Sequence, residues 1–192
     1  MKMYVILYGI TVIMGSLSEQ QKQFVEEYLE FATNTFGVDS TGVLNAVLVC
    51  MGERDGCLTG LQDENAEFVT DLCEEYIIPY ASDNNGVFFA KSDSHLSRYH
   101  PVGADAKTTG NFLGYPEAAI EFYDIHPDPA SDSDRFLSES STFDESDWSD
   151  WYLIGYIPES TEEAYQKAER KQKQYEEALR SCAVDFSGIR NL

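Results

Sequence analysis

Gly42-Val43-Leu44-Asn45-Ala46-Val47-Leu48-Val49-Cys50-Met51, closed by Gly52, is the stretch on which the fold turns. It is short, nearly continuously apolar and rich in valine, and runs of that kind fit a central strand covered on both faces. Gly86-Val87-Phe88-Phe89-Ala90 reads as a second inner strand, entered through the turn signal Asp83-Asn84-Asn85-Gly86. Trp151-Tyr152-Leu153-Ile154-Gly155-Tyr156-Ile157 reads as a third. Helical patterns alternate with these runs, which is the signature of βαβ units. The expected fold is therefore α/β, a single domain over residues 1–192. Its small, mostly parallel sheet runs through Val43–Cys50, Val87–Ala90 and Tyr152–Ile157 and is flanked by helices.

The helical segments carry their own signals. Ser18-Glu19-Gln20-Gln21 matches a capping box, in which the Ser18 hydroxyl and the Gln21 side chain satisfy free N–H groups at a helix start. Phe24, Val25, Tyr28, Leu29, Ala32 and Phe36 follow at three- and four-residue spacing, and Gly37 ends the pattern. A turn at Glu53-Arg54-Asp55-Gly56 leads to a second helix, from about Gln62 to Ile78, with Ala66, Val69, Leu72, Cys73 and Tyr76 on one side and Pro79 beyond it. Asp93 or Ser94 caps a short helix carrying His95, and Gly103 to Gly110 reads as a flexible connector. The N-terminal run Met3–Met14 is too short for a bilayer, which needs about 20 apolar residues. Its composition suits a buried strand; a signal peptide, or an extension ahead of a true start at Met14, remain alternatives.

Charge narrows the partners. With 34 acidic residues against 13 Lys and Arg, the chain carries a formal charge of −21, while 43% hydrophobic and 13% aromatic residues supply a sizeable core. Such a surface repels nucleic acid and anionic lipid, so direct nucleic-acid binding and a membrane partner are not expected. The composition is of the kind found in cytoplasmic proteins of salt-rich archaeal or viral systems. There carboxylates keep a protein hydrated while salt screens repulsion over about 3 Å at 1 M. A protein imitating the phosphate ladder of DNA, or an ordinary acidic protein, would share this charge. Cys50, Cys57, Cys73 and Cys182 contain no Cys-x-x-Cys pair, which points to reduced buried thiols and no metal, as suits the cytosol. Residues 126–150 turn sharply to Asp, Glu and Ser with interspersed aromatics and read as an acidic loop, either a plain surface loop or a functional lid or interaction loop.

One motif recurs. Gly114-Tyr115-Pro116-Glu117 and Gly155-Tyr156-Ile157-Pro158-Glu159 both continue with Glu five residues and Tyr seven residues after the Pro, at Glu121 and Tyr123, and at Glu163 and Tyr165. Each Pro suits the first turn of a helix, and Ser160 with Glu163 forms a second capping box. Leu113–Tyr123 and Gly155–Ala164 resemble segments of small, mostly archaeal proteins of unknown function. In those, a Gly-Tyr-Pro helix entrance is followed by paired cysteines and a later Gly-Tyr-Ile/Val-Pro-Cys segment opens another helix. Ala118, Ala119 and Glu159 stand here where such relatives carry cysteine. The resemblance implies a shared scaffold without metal or redox chemistry.

No phosphate-binding loop, dinucleotide fingerprint, nucleophile elbow or metal-ligand spacing is present, and no cofactor is expected. His95 and His100 follow an inner strand, where open α/β sheets place ligands. Glu117 and Glu121 lie four apart on one helix face, and Arg98, Tyr115 and Tyr156 are the candidate binding residues. The favoured reading is a binding or regulatory protein. It would take a protein or small molecule in a cleft between His95–His100 and the two Gly-Tyr-Pro entrances. A metal-independent hydrolase or transferase, with His95 or His100 as base and Glu117 or Glu121 as acid, is an alternative. An acidic inhibitor of a nucleic-acid-binding protein is another.

Overall fold

The computed structural model describes residues 4–7, 10–13, 17–36, 41–125, 153–154, 162–182 and 184–186. Among these there are seven helices and two antiparallel sheets. The stretch from Gly42 to Met51 is not a strand. It lies in α2 (Thr41–Cys50), a helix whose Val43, Leu44, Ala46, Val47, Leu48 and Val49 are all at most 1% exposed. A short apolar run is compatible with either a strand or a buried helix, and ten residues is long for the one and ordinary for the other. A helix satisfies its backbone bonds internally, so apolar neighbours can surround it on every side without strand partners. Those neighbours come from α1 (Glu19–Phe36), β3 (Gly56–Thr59), β5 (Gly86–Ala90) and α7 (Glu162–Ser181).

The expected parallel sheet is accordingly corrected. β3, β4 (Tyr80–Asp83) and β5 form a three-stranded sheet in the order β3-β5-β4, with both pairings antiparallel. β5 is the central strand and is buried along its whole length, in agreement with its apolar sequence. It is joined to β4 by a tight hairpin in which Asp83 Oδ1 accepts the Asn85 N–H at 2.7 Å. Of the third expected strand, Tyr152–Ile157, the described residues Leu153 and Ile154 form a turn; the remainder, like the acidic loop 126–150, lies outside the described residues. At the N-terminus, β1 (Tyr4–Leu7) and β2 (Ile10–Ile13) pair as a hairpin in place of one strand.

The helix signals fare better. Ser18 Oγ accepts the Gln21 N–H at 3.2 Å and Gln21 Oε1 accepts the Ser18 N–H at 2.9 Å, the reciprocal capping box at the start of α1. Phe24, Val25, Tyr28 and Ala32 are buried, and Phe24 and Tyr28 pack on Phe89 of β5 with ring centroids 5.9 and 5.8 Å apart. Helix α3 spans Asp63–Tyr76 and α4 spans Asp93–Tyr99; the cap of α4 is Ser92, whose hydroxyl accepts the His95 N–H, and not Asp93 or Ser94. The segment expected to be a flexible connector instead contains α5 (Ala106–Leu113). Asp105 caps it, and bonds from Thr108 hold the Asp105 carboxyl below its usual range. Gly110 lies inside α5 because α6 (Glu117–Ile125) crosses it closely. A Cβ at Gly110 would come within 2.8 Å of Ile120 Cγ1.

Candidate functional site

The turn at Glu53–Gly56 joins the first Gly-Tyr-Pro entrance to the Leu153–Ile154 turn. Arg54 is only 5% exposed and distributes its guanidinium over oxygen acceptors. Its Nε donates to the Gly56 carbonyl at 2.9 Å, and its terminal nitrogens donate to Asn45 Oδ1 and the Leu153 carbonyl, both at 2.6 Å, and to the Ile154 carbonyl at 3.3 Å. Leu153 N–H is in turn accepted by Gln172 Oε1 of α7 at 3.1 Å, and Gln172 is itself buried. Asp55 lies against Gly114, so the first motif copy meets the same turn. The first motif copy and the Leu153–Ile154 turn are thus gathered at one place. What gathers them is a buried arginine held by carbonyls, which is a structural clamp.

The residues singled out in the sequence divide between a packed cluster and the surface. His95 is 8% exposed; its Nε2 lies 2.8 Å from the Phe112 carbonyl, and its ring packs on Tyr99 and Phe112. Nε2 bonded to a carbonyl must carry the proton, which commits that nitrogen. Tyr115 packs on the same small apolar cluster, formed by Phe88, Ala90, Phe112 and Leu113. The structure therefore does bring α4 to the first Gly-Tyr-Pro entrance, but as a filled secondary core. His100, Arg98, Glu117 and Glu121 are exposed, and Arg98 stands 5.1 Å from the Tyr99 ring centroid. Among the described residues neither His95 nor His100 is paired with a carboxylate. Tyr156 lies outside the described residues.

The cleft is elsewhere. It has a volume of about 370 Å³ and shares only Ala90 with the secondary core. One wall is the first turn of α1, the positive end of that helix's dipole, with Ser18, Gln20 and Gln21. Gln21 Nε2 donates to the Cys50 carbonyl at 2.9 Å and so seals α1 to the end of α2. The opposing wall is Tyr76-Ile77-Ile78-Pro79, which continues through the Ala90 N–H to Pro79 carbonyl bond of 2.9 Å to Ala90 and Lys91. The Tyr76 hydroxyl donates to the Glu27 carboxylate, and that bond pushes it up to about 12. Lys91 Nζ donates to Asp55, which ties the cleft to the Arg54 turn.

Ile77 is the unusual member of this wall. It terminates α3 in the left-handed conformation, with φ 57° and ψ 44°, its N–H bonded to Cys73 and Glu74 carbonyls. That position is ordinarily glycine, and a β-branched residue there is strained. Yet Ile77 is 77% exposed, so little burial offsets the strain. No motif marks Ile77 in the sequence; the one signal is a helix ending in Tyr76-Ile77-Ile78-Pro79 with no Gly or Asn to take the left-handed turn.

Cys50, Cys57 and Cys73 offer no nucleophile. Cys57 and Cys73 are buried, and the half-buried Cys50 packs its thiol against the main core; burial pushes the thiols of Cys50 and Cys57 up to about 12 and that of Cys73 higher still. Thiolate is the reactive form, so these groups are inert at neutral pH. Among the described residues no three His, Cys, Asp or Glu side chains are grouped to hold a metal ion, and no helix is long and apolar enough to cross a membrane. Comparison with protein families, with characterised proteins and with solved structures finds no match.

Proposed function

We propose that this chain is a binding or regulatory protein of a salt-rich cytoplasm and that the cleft beneath Ile77 is where it binds. The observation that carries the reading is Ile77 itself, a strained and exposed apolar side chain at the edge of a cavity. Natural sequences carry strain of this kind mainly where function uses it, because glycine at the same position would relieve it. Ile77→Gly separates the two roles. The variant is expected to unfold about 1 kcal/mol less readily than the parent, since left-handed strain is worth about 1–2 kcal/mol and glycine's extra unfolded-state entropy returns part of it. In a thermal-shift screen of small metabolites, compounds that raise the parent's melting temperature should raise that of Ile77→Gly less. Equal shifts in both proteins, or a loss of stability on substitution, would count against a binding role for Ile77.

The salt-adapted part of the reading rests on the charge of −21. Carboxylate repulsion at that density opposes the compact state until salt screens it. The unfolding midpoint should rise as KCl is increased toward molar concentration. A midpoint that is highest in dilute buffer would remove this part of the proposal and leave the cleft untouched.

A further inference from the structure

We infer that the cleft takes an amphipathic monocarboxylate, a small ligand with one carboxylate and a short apolar body; the inference rests on the cleft being the binding site. Three observations point to that chemistry. First, the chain has 34 acidic residues, yet none of the eleven described residues lining the cleft is Asp or Glu. The carboxylates hydrogen-bonded to lining side chains are already engaged, Glu27 by the Tyr76 hydroxyl and Asp55 by Lys91. A surface that otherwise repels anions is interrupted here.

Second, Lys91 is the one cation among those lining residues and retains bonding capacity. An ammonium has three donors. Asp55 takes one, Lys91 is 40% exposed at its side chain, and among the described residues its ammonium has no other partner. The exposed Gln20 side-chain amide is likewise without a partner among the described residues. A ligand carboxylate can therefore accept from Lys91 while the Asp55 pair stays in place.

Third, the wall leading away from Lys91 is apolar. Pro79 is bonded directly to Ala90, beside Lys91, and Ile77 continues the wall outward. A carboxylate at Lys91 places the attached hydrocarbon along Pro79 and Ile77, which gives the exposed isoleucine a partner. Fully charged dicarboxylates fit less well, because their second charge would meet the apolar wall, and cations would meet Lys91.

The test compares hexanoate, 1-hexanol and hexylammonium by titration calorimetry, at the lowest KCl concentration that keeps near-ultraviolet dichroism native. Hexanoate should bind about tenfold more tightly than 1-hexanol, the value of one charge-assisted hydrogen bond of about 1.4 kcal/mol. In Lys91→Gln that preference should vanish while 1-hexanol binding is kept. Equal affinity for hexanoate and 1-hexanol in the parent would overturn the carboxylate assignment and leave the cleft as an apolar binding site. Tightest binding of hexylammonium, or a hexanoate preference that survives in Lys91→Gln, would also overturn it. Binding of none of the three overturns it too, and the metabolite screen with Ile77→Gly then decides separately whether the cleft binds anything.

Discussion

Arg54→Met is expected to lower the unfolding free energy by about 3 kcal/mol, seen as a melting temperature about 10 °C lower. Methionine keeps much of the volume but none of the donors. The carbonyls of Gly56, Leu153 and Ile154 and the Asn45 side-chain oxygen all lose a bond, and an orphaned buried acceptor costs about 1–3 kcal/mol. Relief from burying a charge offsets part of that sum. Arg54→Lys should recover less than half of the loss, because a lysine head cannot reproduce the planar fork that serves four acceptors at once. Gln172→Leu removes the other support of Leu153, so the two changes should be non-additive by about 0.5 kcal/mol or more. If Arg54→Met melts within a degree or two of the parent, the clamp contributes nothing and the Leu153–Ile154 turn is held by other means.

Gly86→Ala should be at least as damaging, at about 3–5 kcal/mol, a large part of the 5–15 kcal/mol that stabilises an ordinary domain. Gly86 opens β5 with φ 138°, a conformation that L side chains rarely adopt, and a Cβ there would lie 1.9 Å from the Thr59 carbonyl oxygen of β3. Relief requires β3 and β5 to part at the end of their ladder, next to the Thr59–Val87 pair. The neighbouring chain then cannot keep both Thr59 and Val87 buried. Denaturant unfolding monitored by far-ultraviolet dichroism measures the loss. A Gly86→Ala protein with the parent's midpoint would mean that the hairpin is not entered as described.

What was legible in the sequence follows from how local each signal is. The capping box at Ser18 and Gln21 depends on four consecutive residues, and the hairpin turn at Asp83–Gly86 likewise; both are where the sequence puts them. α2 reads as a strand because a uniformly apolar run carries no period, so nothing within it distinguishes a helix sealed by neighbours from a strand covered on both faces. Among the described residues only β5 of the three expected strands is one; its antiparallel partners β3 and β4 leave little trace in the sequence because each is only four residues long. The candidate site was less legible still. Arg54 appears in the sequence as one member of a polar turn, and its burial depends on Leu153 and Ile154 about a hundred residues away. The histidines stand out because they follow an inner strand, where an open α/β sheet would place a ligand, yet the sheet is antiparallel and His95 is spent on the Phe112 carbonyl. Ile77 and Lys91 face one cleft only because α3 and β5 end side by side, which no spacing in the chain records.

Backbone amide shift mapping tests the central claim, that this cleft is the binding site, most directly. On titration with hexanoate, or with the strongest stabiliser from the metabolite screen, the shifts should gather at Gln20, Gln21, Cys50, Ile77, Ile78 and Lys91. His95, Phe112 and the exposed acids Glu117 and Glu121 should stay unmoved. Shifts centred on α4 and α5, or spread over the acidic surface with the cleft silent, would contradict it.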